Sequence, residues 1–289
     1  MSRKFLVATD LSERSARALQ RALALASVET ASIRLLHVID DDQPAALIDA
    51  QRDKARQYLG QMVAREAGPG QTIEIVVEAG EAHTTINRQA QAFGADLIVL
   101  GAHRKNILLD LFRGTTIERV LQTGSTPVLV CNLPAAEPHD RVLAAVELNQ
   151  NSIDAIEVAF DLGLVRKAKI TVAHAYSSLE TTQMAYAGRT EEEIHRQHSE
   201  KEADIADRLY HLVSGTQLGA LDYALVIEEA VPAQLLIRIA GQTGTSLTII
   251  GTRSSSSLER FFLGSVAKAV LRQGHGDILA VPPPAKPIP

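Results

Sequence analysis

A single cysteine, Cys131, and no tryptophan occur among the 289 residues of the chain. One cysteine excludes an intrachain disulfide framework, and on that count the chain reads as cytoplasmic. Aromatic residues make up 4% and hydrophobic residues 46%, so the core must be aliphatic. An aliphatic core suits parallel strands covered on both faces by helices. No run of 18 apolar residues occurs, which leaves no candidate for a membrane-spanning helix. The opening residues, Met1 to Asp10, enter strand-like sequence at once and lack the apolar region and cleavage site of a signal peptide. An excess of positive charge is missing too. The net charge is −5, a poor match to a phosphate backbone, so no nucleic-acid partner is expected.

What is present is repetition. The length is about twice that of a common single domain. Lys4-Phe-Leu-Val-Ala-Thr-Asp-Leu-Ser aligns with Arg141-Val-Leu-Ala-Ala-Val-Glu-Leu-Asn at an offset of 137 residues, and His37 falls on His174 at the same offset. Further along the offset is 150, where Ala95-Asp-Leu-Ile-Val-Leu-Gly101 meets Thr245-Ser-Leu-Thr-Ile-Ile-Gly251. The change of 13 residues therefore lies between the second and fourth strands of the unit. Two copies of one unit account for the length. Domains are expected over 1–134 and 140–284, followed by a flexible Pro-rich tail, 285–289. The short connector Asn132-Leu-Pro-Ala-Ala-Glu-Pro-His-Asp favours units that pack together.

Within each unit short apolar runs alternate with helical periodicity, the pattern of parallel βαβ architecture. Strands are expected near 4–9, 33–38, 72–77, 96–100 and 127–131, and again near 141–146, 169–174, 222–227, 246–250 and 277–281. The first helix should follow Ser12, with Ala16, Leu19, Leu23 and Ala26 on one face. Its counterpart carries Ile153, Ile156, Phe160 and Gly163. The extra residues of the second unit are expected to lengthen its second helix, 189–214, whose Glu191-Glu-Glu-Ile-His-Arg-Gln-His reads as a solvated face. Cys131 closes an apolar strand and reads as a packed small hydrophobe rather than a reactive thiol.

Open parallel sheets bind ligands beyond the carboxyl ends of their strands, where the strand order reverses. The loops after the first and fourth strands are therefore the informative ones. After the fourth strand each unit has a Gly at the strand end, Gly101 or Gly251, and a later Gly plus hydroxyl opening a helix, Gly114-Thr115 or Gly264-Ser265. Glycine lets backbone N–H groups approach a ligand closely. A helix N-terminus adds unpaired donors and partial positive charge, so an anion is favoured. The competing reading is that the hydroxyls only cap their helices, since Thr115 with Glu118 fits a capping box.

These loops resemble the universal stress protein signature, Gly-x2-Gly-x9-Gly-[Ser/Thr], at the same spacing in both halves. Val7-Ala-Thr-Asp10 resembles that family's first strand and acid, and Pro127-Val-Leu-Val its last strand. The resemblance implies a Rossmann-like α/β fold, with a five-stranded parallel sheet in each half, and ATP or a related adenine nucleotide as ligand, compatible with Mg. It places contacts in the first unit at Ala8, Thr9, Asp10 and Val38, then at Gly101, His103, Arg104, Gly114, Thr115 and Thr116. In the second unit they fall on Ala145, Val146, Glu147 and Ala175, then on Gly251, Arg253, Ser254, Gly264, Ser265 and Val266. It also implies that last strands pair edge to edge, Val128–Cys131 with Ile278–Val281, giving an intrachain pseudo-dimer that could pair again as a homodimer of chains.

Neither half matches the signature fully. Arg104 and Ser254 replace its second glycine, Glu147 replaces the acid, and Ala175 stands where a valine is expected. A Glu carboxylate lies about one bond, ~1.5 Å, further out than an Asp carboxylate, enough to lose a short direct contact unless the backbone adjusts. Other candidates are His195 and His198, spaced to hold zinc but more simply a solvated helix face, and His37 and His174, equivalent residues near the cleft. No Walker A sequence occurs, and no nucleophile, base or metal set marks an enzyme. Slow hydrolysis aided by His103, Arg104 and Mg is a weaker alternative. A non-nucleotide dimerisation scaffold, or a binder of another small ligand, is the main one.

Overall fold

The computed structural model describes residues 2–28, 31–68, 70–102, 115–135, 139–177, 190–252 and 263–283. The first unit runs β1 (Arg3–Thr9), α1 (Glu13–Val28), β2 (Ala31–Ile39), α2 (Ala45–Glu66), β3 (Ile73–Ala79), α3 (Ala82–Phe93), β4 (Leu97–Gly101), α4 (Thr116–Thr123) and β5 (Val128–Cys131). The second repeats it as β6 (Arg141–Ala145), α5 (Gln150–Asp161), β7 (Lys169–Tyr176), α6 (Glu191–Val213), β8 (Tyr223–Glu229), α7 (Pro232–Thr243), β9 (Leu247–Gly251), α8 (Ser265–Gln273) and β10 (Asp277–Val281).

The strands form one sheet of ten in the order β3-β2-β1-β4-β5-β10-β9-β6-β7-β8. Neighbours run parallel except at the centre, where β5 and β10 are antiparallel, with Ile278 opposite Val130 and Ala280 opposite Val128. The two expected five-stranded sheets are therefore halves of a single sheet, joined along the last strands. In both halves the order reverses at the first strand, because β1 lies between β2 and β4, and β6 between β7 and β9.

Alternation along the strands explains the layers. Phe5 and Val7 face a core shared with α1 and α2, while Leu6 and Ala8 face the opposite core with α3 and α4. The alternation is between two cores, not between core and solvent. Phe5, Leu6 and Val7 are all fully buried, as expected for strands covered on both sides. Leu19 and Leu23 of α1, with Ile153 and Ile156 of α5, are buried as their periodicity requires. Gly163 lies beyond α5 at φ 71°, a left-handed position that terminates the helical run.

The expectation that the extra residues lengthen the second long helix is not met. α6 is 23 residues against 22 for α2. Most of the insertion falls between strand and helix, in 177–190 against 40–44. A Glu-rich stretch with helical periodicity cannot reveal where the preceding connection ends. Cys131 is fully buried, and burial, with the nearby Asp277 carboxylate, raises its thiol well above the ordinary range. Among the described residues no helix is long and apolar enough to cross a membrane.

Candidate functional site

The site grows from two short turns that follow β1 and β6. In the first, Thr9 Oγ1 lies 2.8 Å from Ser15 Oγ and accepts from Leu11 N at 3.0 Å. Asp10 Oδ1 accepts from Ser12 N at 3.0 Å and from the Ser12 hydroxyl at 2.5 Å. These bonds hold Leu11 at φ 63°, a left-handed conformation that a branched side chain rarely adopts. Partial burial pushes the Asp10 carboxyl up. Hydrogen bonds from the Ser12 and Ser15 side chains and the Ser12 backbone outweigh this and hold it below its ordinary value.

The second turn solves the same problem with different residues. Asn149 N donates to Glu147 O at 2.7 Å, closing a tighter turn. Ser152 Oγ donates to Glu147 O at 2.7 Å and accepts from Glu147 N at 3.2 Å. Asn149 caps α5 by accepting from Ser152 N, while its Nδ2 donates to Glu147 Oε2 at 2.9 Å. Asp with Ser in one unit is thus matched by Glu with Asn in the other. The longer acid meets a longer partner on a rearranged backbone, so its carboxylate is held.

His37 and His174 play the shared part that their equivalence suggests. Nδ1 lies 2.9 Å from Thr9 O and 2.7 Å from Val146 O respectively. A carbonyl only accepts, so Nδ1 carries the proton in both rings. Each histidine pins the carboxyl end of the central strand of its unit.

Beyond the end of β6, at the reversal of strand order, lies an open cleft. Ala145, Val146 and Glu147 line it from β6 and its turn, Ala173 and Ala175 from β7, Ile250 and Gly251 from β9, and Val266 from α8. Asn149 and Ser152 stand on its polar side. Pro232, Leu235 and Leu236 of α7 close its apolar wall. Those three, with Ala173, Ile250, Asn149 and Ser152, were not singled out in the sequence. The α7 residues look like an ordinary core stripe. Ser152 had a signal, because it falls on Ser15 at the 137-residue offset.

Gly264 is the N-cap of α8, and its N–H donates to Thr252 O at 2.9 Å, so that amide is occupied. The first amides inside the helix, at Ser265 and Val266, have no intrahelical acceptor, and a glycine cap brings no side chain to them. In the first unit Thr115 caps α4, its Oγ1 accepting from Glu118 N at 3.2 Å, and Thr116 opens the helix. The capping box is only half formed. The Glu118 carboxylate is taken instead by Arg272 of the other unit, Nε to Oε1 at 2.8 Å. Gly101 is a glycine for packing, since a Cβ there would fall 2.7 Å from Arg14 O and 2.8 Å from Ser15 Cα. His103, Arg104, Gly114, Arg253, Ser254 and the 285–289 tail lie outside the described residues.

The zinc spacing of α6 does not gather ligands. His198 lies 3.4 Å from Tyr176 Oη through Nδ1 and 3.4 Å from Glu229 through Nε2, while His195 is exposed. Among the described residues no group of three or more His, Cys, Asp or Glu is placed to hold a metal.

Two doubly wound α/β units fused along their last strands, with an open cleft at a strand-order reversal, define a tandem protein of Rossmann-like architecture. The model of the universal stress protein family matches residues 1–132 and again 138–282, and the chain belongs to that family. A universal stress protein of Mycolicibacterium smegmatis is 26% identical, over 96% of both chains. One from Methanocaldococcus jannaschii is 26% identical over 45% of this chain and 94% of its own length, the size of a single unit. The crystal structure of a universal stress protein from Archaeoglobus fulgidus covers 98% of this chain and 99% of its own at a TM-score of 0.72 and 19% identity, a likeness of fold.

Proposed function

We propose that the chain binds ATP or a related adenine nucleotide at the carboxyl edge of its sheet and acts in the stress response as a nucleotide-responsive binding protein. The observation that carries this reading is the cleft beside β6. It joins an apolar wall suited to a flat ring, the acceptor carboxylate of Glu147, and the start of α8, whose amides suit a phosphate. The first unit contributes a comparable set around Ala8, Thr9, Asp10 and Val38, with Gly101, Thr115 and Thr116 across the crevice. His103, Arg104 and Gly114 of that loop, and Arg253 and Ser254 of the other, belong to the same proposed contacts, and Mg would accompany the phosphates. The protein works in the cytoplasm on this reading, and turnover of the nucleotide forms no part of it. Mass spectrometry of the purified chain should find adenine nucleotide, and calorimetry with Mg-ATP should show saturable heat. No nucleotide, and no heat up to about 1 mM ligand, where binding is worth only about −4 kcal/mol, would end the proposal.

A dimerisation scaffold is the second reading, favoured by the continuous β5–β10 seam. It predicts that Gly264→Ala leaves self-association unchanged in sedimentation experiments, with no response to nucleotide.

A further inference from the structure

The ten-stranded sheet ends in two edge strands, β3 of the first unit and β8 of the second. An edge strand offers its outward N–H and C=O groups to any other strand, and proteins commonly blunt it with charge. Ala230 N donates to Tyr176 O at 3.1 Å, and Gly80 N to Ile39 O at 2.9 Å. The even-numbered residues of both edge strands therefore turn their backbone inward. The odd ones alternate with them and turn theirs outward, at Leu225 and Ile227 on β8 and at Ile75 and Val77 on β3.

Only one of these edges is blunted. Along β3, Glu74 pairs with Arg34 at 2.8 Å, Gln71 before the strand donates to Leu23 O, and Glu81 beyond it pairs with Arg119 at 2.8 Å. At the offset of 150 residues their places are taken by Ala224, Leu221 and Val231, and Thr171 stands opposite Ala224 where Arg34 stands opposite Glu74. The pair Glu78–Arg88 alone recurs, as Glu228–Arg238. Among the described residues six large hydrophobic side chains are exposed. Three of them, Leu221 at 46%, Leu225 at 38% and Val231 at 57%, lie on β8 or two residues from its ends, and none lies on β3.

Two copies of one strand pair antiparallel about a twofold axis, so the residue on the axis fixes the register. With Val226 there, Leu225 faces Ile227, Ala224 faces Glu228, and Leu221 of one copy comes to the end that carries Val231 of the other. A slip of two residues sets Glu228 opposite Asp222 in one direction and Leu225 opposite Glu229 in the other. On β3 the same register would set Glu74 against Glu78, and like charges directly opposite are destabilising. Alanine at 224 therefore removes the repulsion that keeps such a strand from meeting itself. Antiparallel pairing of edges already joins the two units inside the chain, at β5 and β10. We propose that β8 is the interaction surface between two copies of this chain, paired antiparallel about Val226 so that one sheet runs through both. The surface stands whether or not a nucleotide binds.

A strand pair is a small interface, so sedimentation equilibrium is run on the full-length chain up to about 100 μM, where a weak dimer is populated. Ala224→Glu restores the residue of the first unit at an exposed position and creates two like-charge contacts per dimer. It should raise the dissociation constant about tenfold. Ala224→Lys, which faces Glu228 of the second copy, should keep the dimer or tighten it. Val226→Cys brings two thiols to the axis at a non-hydrogen-bonded pair, where Cα atoms stand about 4.5 Å apart, within reach of a disulfide. Cys131 is fully buried, so the new thiol reports alone. Mild oxidation should link Val226→Cys chains into a dimer and leave Val76→Cys chains, altered on β3, unlinked. If circular dichroism shows that Ala224→Glu does not fold, Ala224→Lys and Val226→Cys carry the test. A dimer indifferent to the charge at 224, one weakened equally by Glu and Lys, or no cross-link at 226 overturns the proposal. A chain that stays monomeric overturns it too, and leaves the edge to an extended segment of another protein.

Discussion

At the scale of single residues, the two turns show how polar groups fix a backbone. Ser152 bonds both the N–H and the C=O of Glu147, and it is buried. Ser152→Ala leaves the Glu147 N–H without its acceptor and the carbonyl with the Asn149 amide alone, at a cost of about 1–2 kcal/mol. Urea denaturation of the variant at neutral pH should report that loss. Asp10 predicts a pH dependence. Its folded pKa lies below the ordinary 3.8, so the folded state favours the carboxylate. The stabilisation is therefore complete above about pH 3.8 and is lost as pH falls through the depressed folded value. Asp10→Asn should be less stable than the parent from pH 7 down to about 4, and the gap should narrow below that. A gap that stays constant down to pH 3 in denaturant titrations contradicts the assignment.

At the scale of elements, the long helix α6 carries the clearest local signal. Thr190 accepts from Glu193 N at 3.3 Å while the Glu193 side chain accepts from Thr190 N at 3.1 Å, a complete capping box. Thr190→Ala should cost about 1 kcal/mol, and hydrogen exchange should speed up first in the opening turn of α6. Strands and helices were legible to within two or three residues, because apolar runs buried on both faces and 3.6-residue stripes leave strong patterns. The insertion before α6 was not legible, since Glu-rich sequence carries helical periodicity without marking its start. Nor was the purpose of the glycines. Gly101 makes room for the Arg14 carbonyl, a close backbone contact that reads in sequence like a phosphate loop. The acid, the opening strands and Gly251 did point to the cleft. Its apolar wall did not show, because Ala173 and Ala175 look like any other strand alanines.

At the scale of the whole molecule, the seam between the units is asymmetric where the repeat would make it symmetric. Asp277 opens β10 at the place that Pro127 holds in the first unit. It is fully buried, and Oδ1 accepts from Asn132 N and Leu133 N, each at 2.9 Å. Oδ2 lies 3.0 Å from His139 Nε2 and 3.0 Å from Arg21 Nε, the latter a charge contact rather than an aligned hydrogen bond. Arg21 also donates to Pro134 O at 3.2 Å. One carboxylate from the second unit thus gathers the connector and the first helix of the first unit. Such a buried pair need not add stability over an apolar replacement, but removing one partner leaves the other charged and unsolvated. Asp277→Asn keeps the acceptor for the two amides and removes the counter-charge of Arg21, so it should cost about 3–5 kcal/mol. Protease should then cut the 132–140 connector earlier than in the parent. Because the penalty arises from the stranded guanidinium, Arg21→Met on the Asp277→Asn background should restore part of the stability, a coupling visible in a double-mutant cycle. Additive losses would mean that the carboxylate serves the connector amides alone and that the two units are held together by the β5–β10 seam and the Glu118–Arg272 pair.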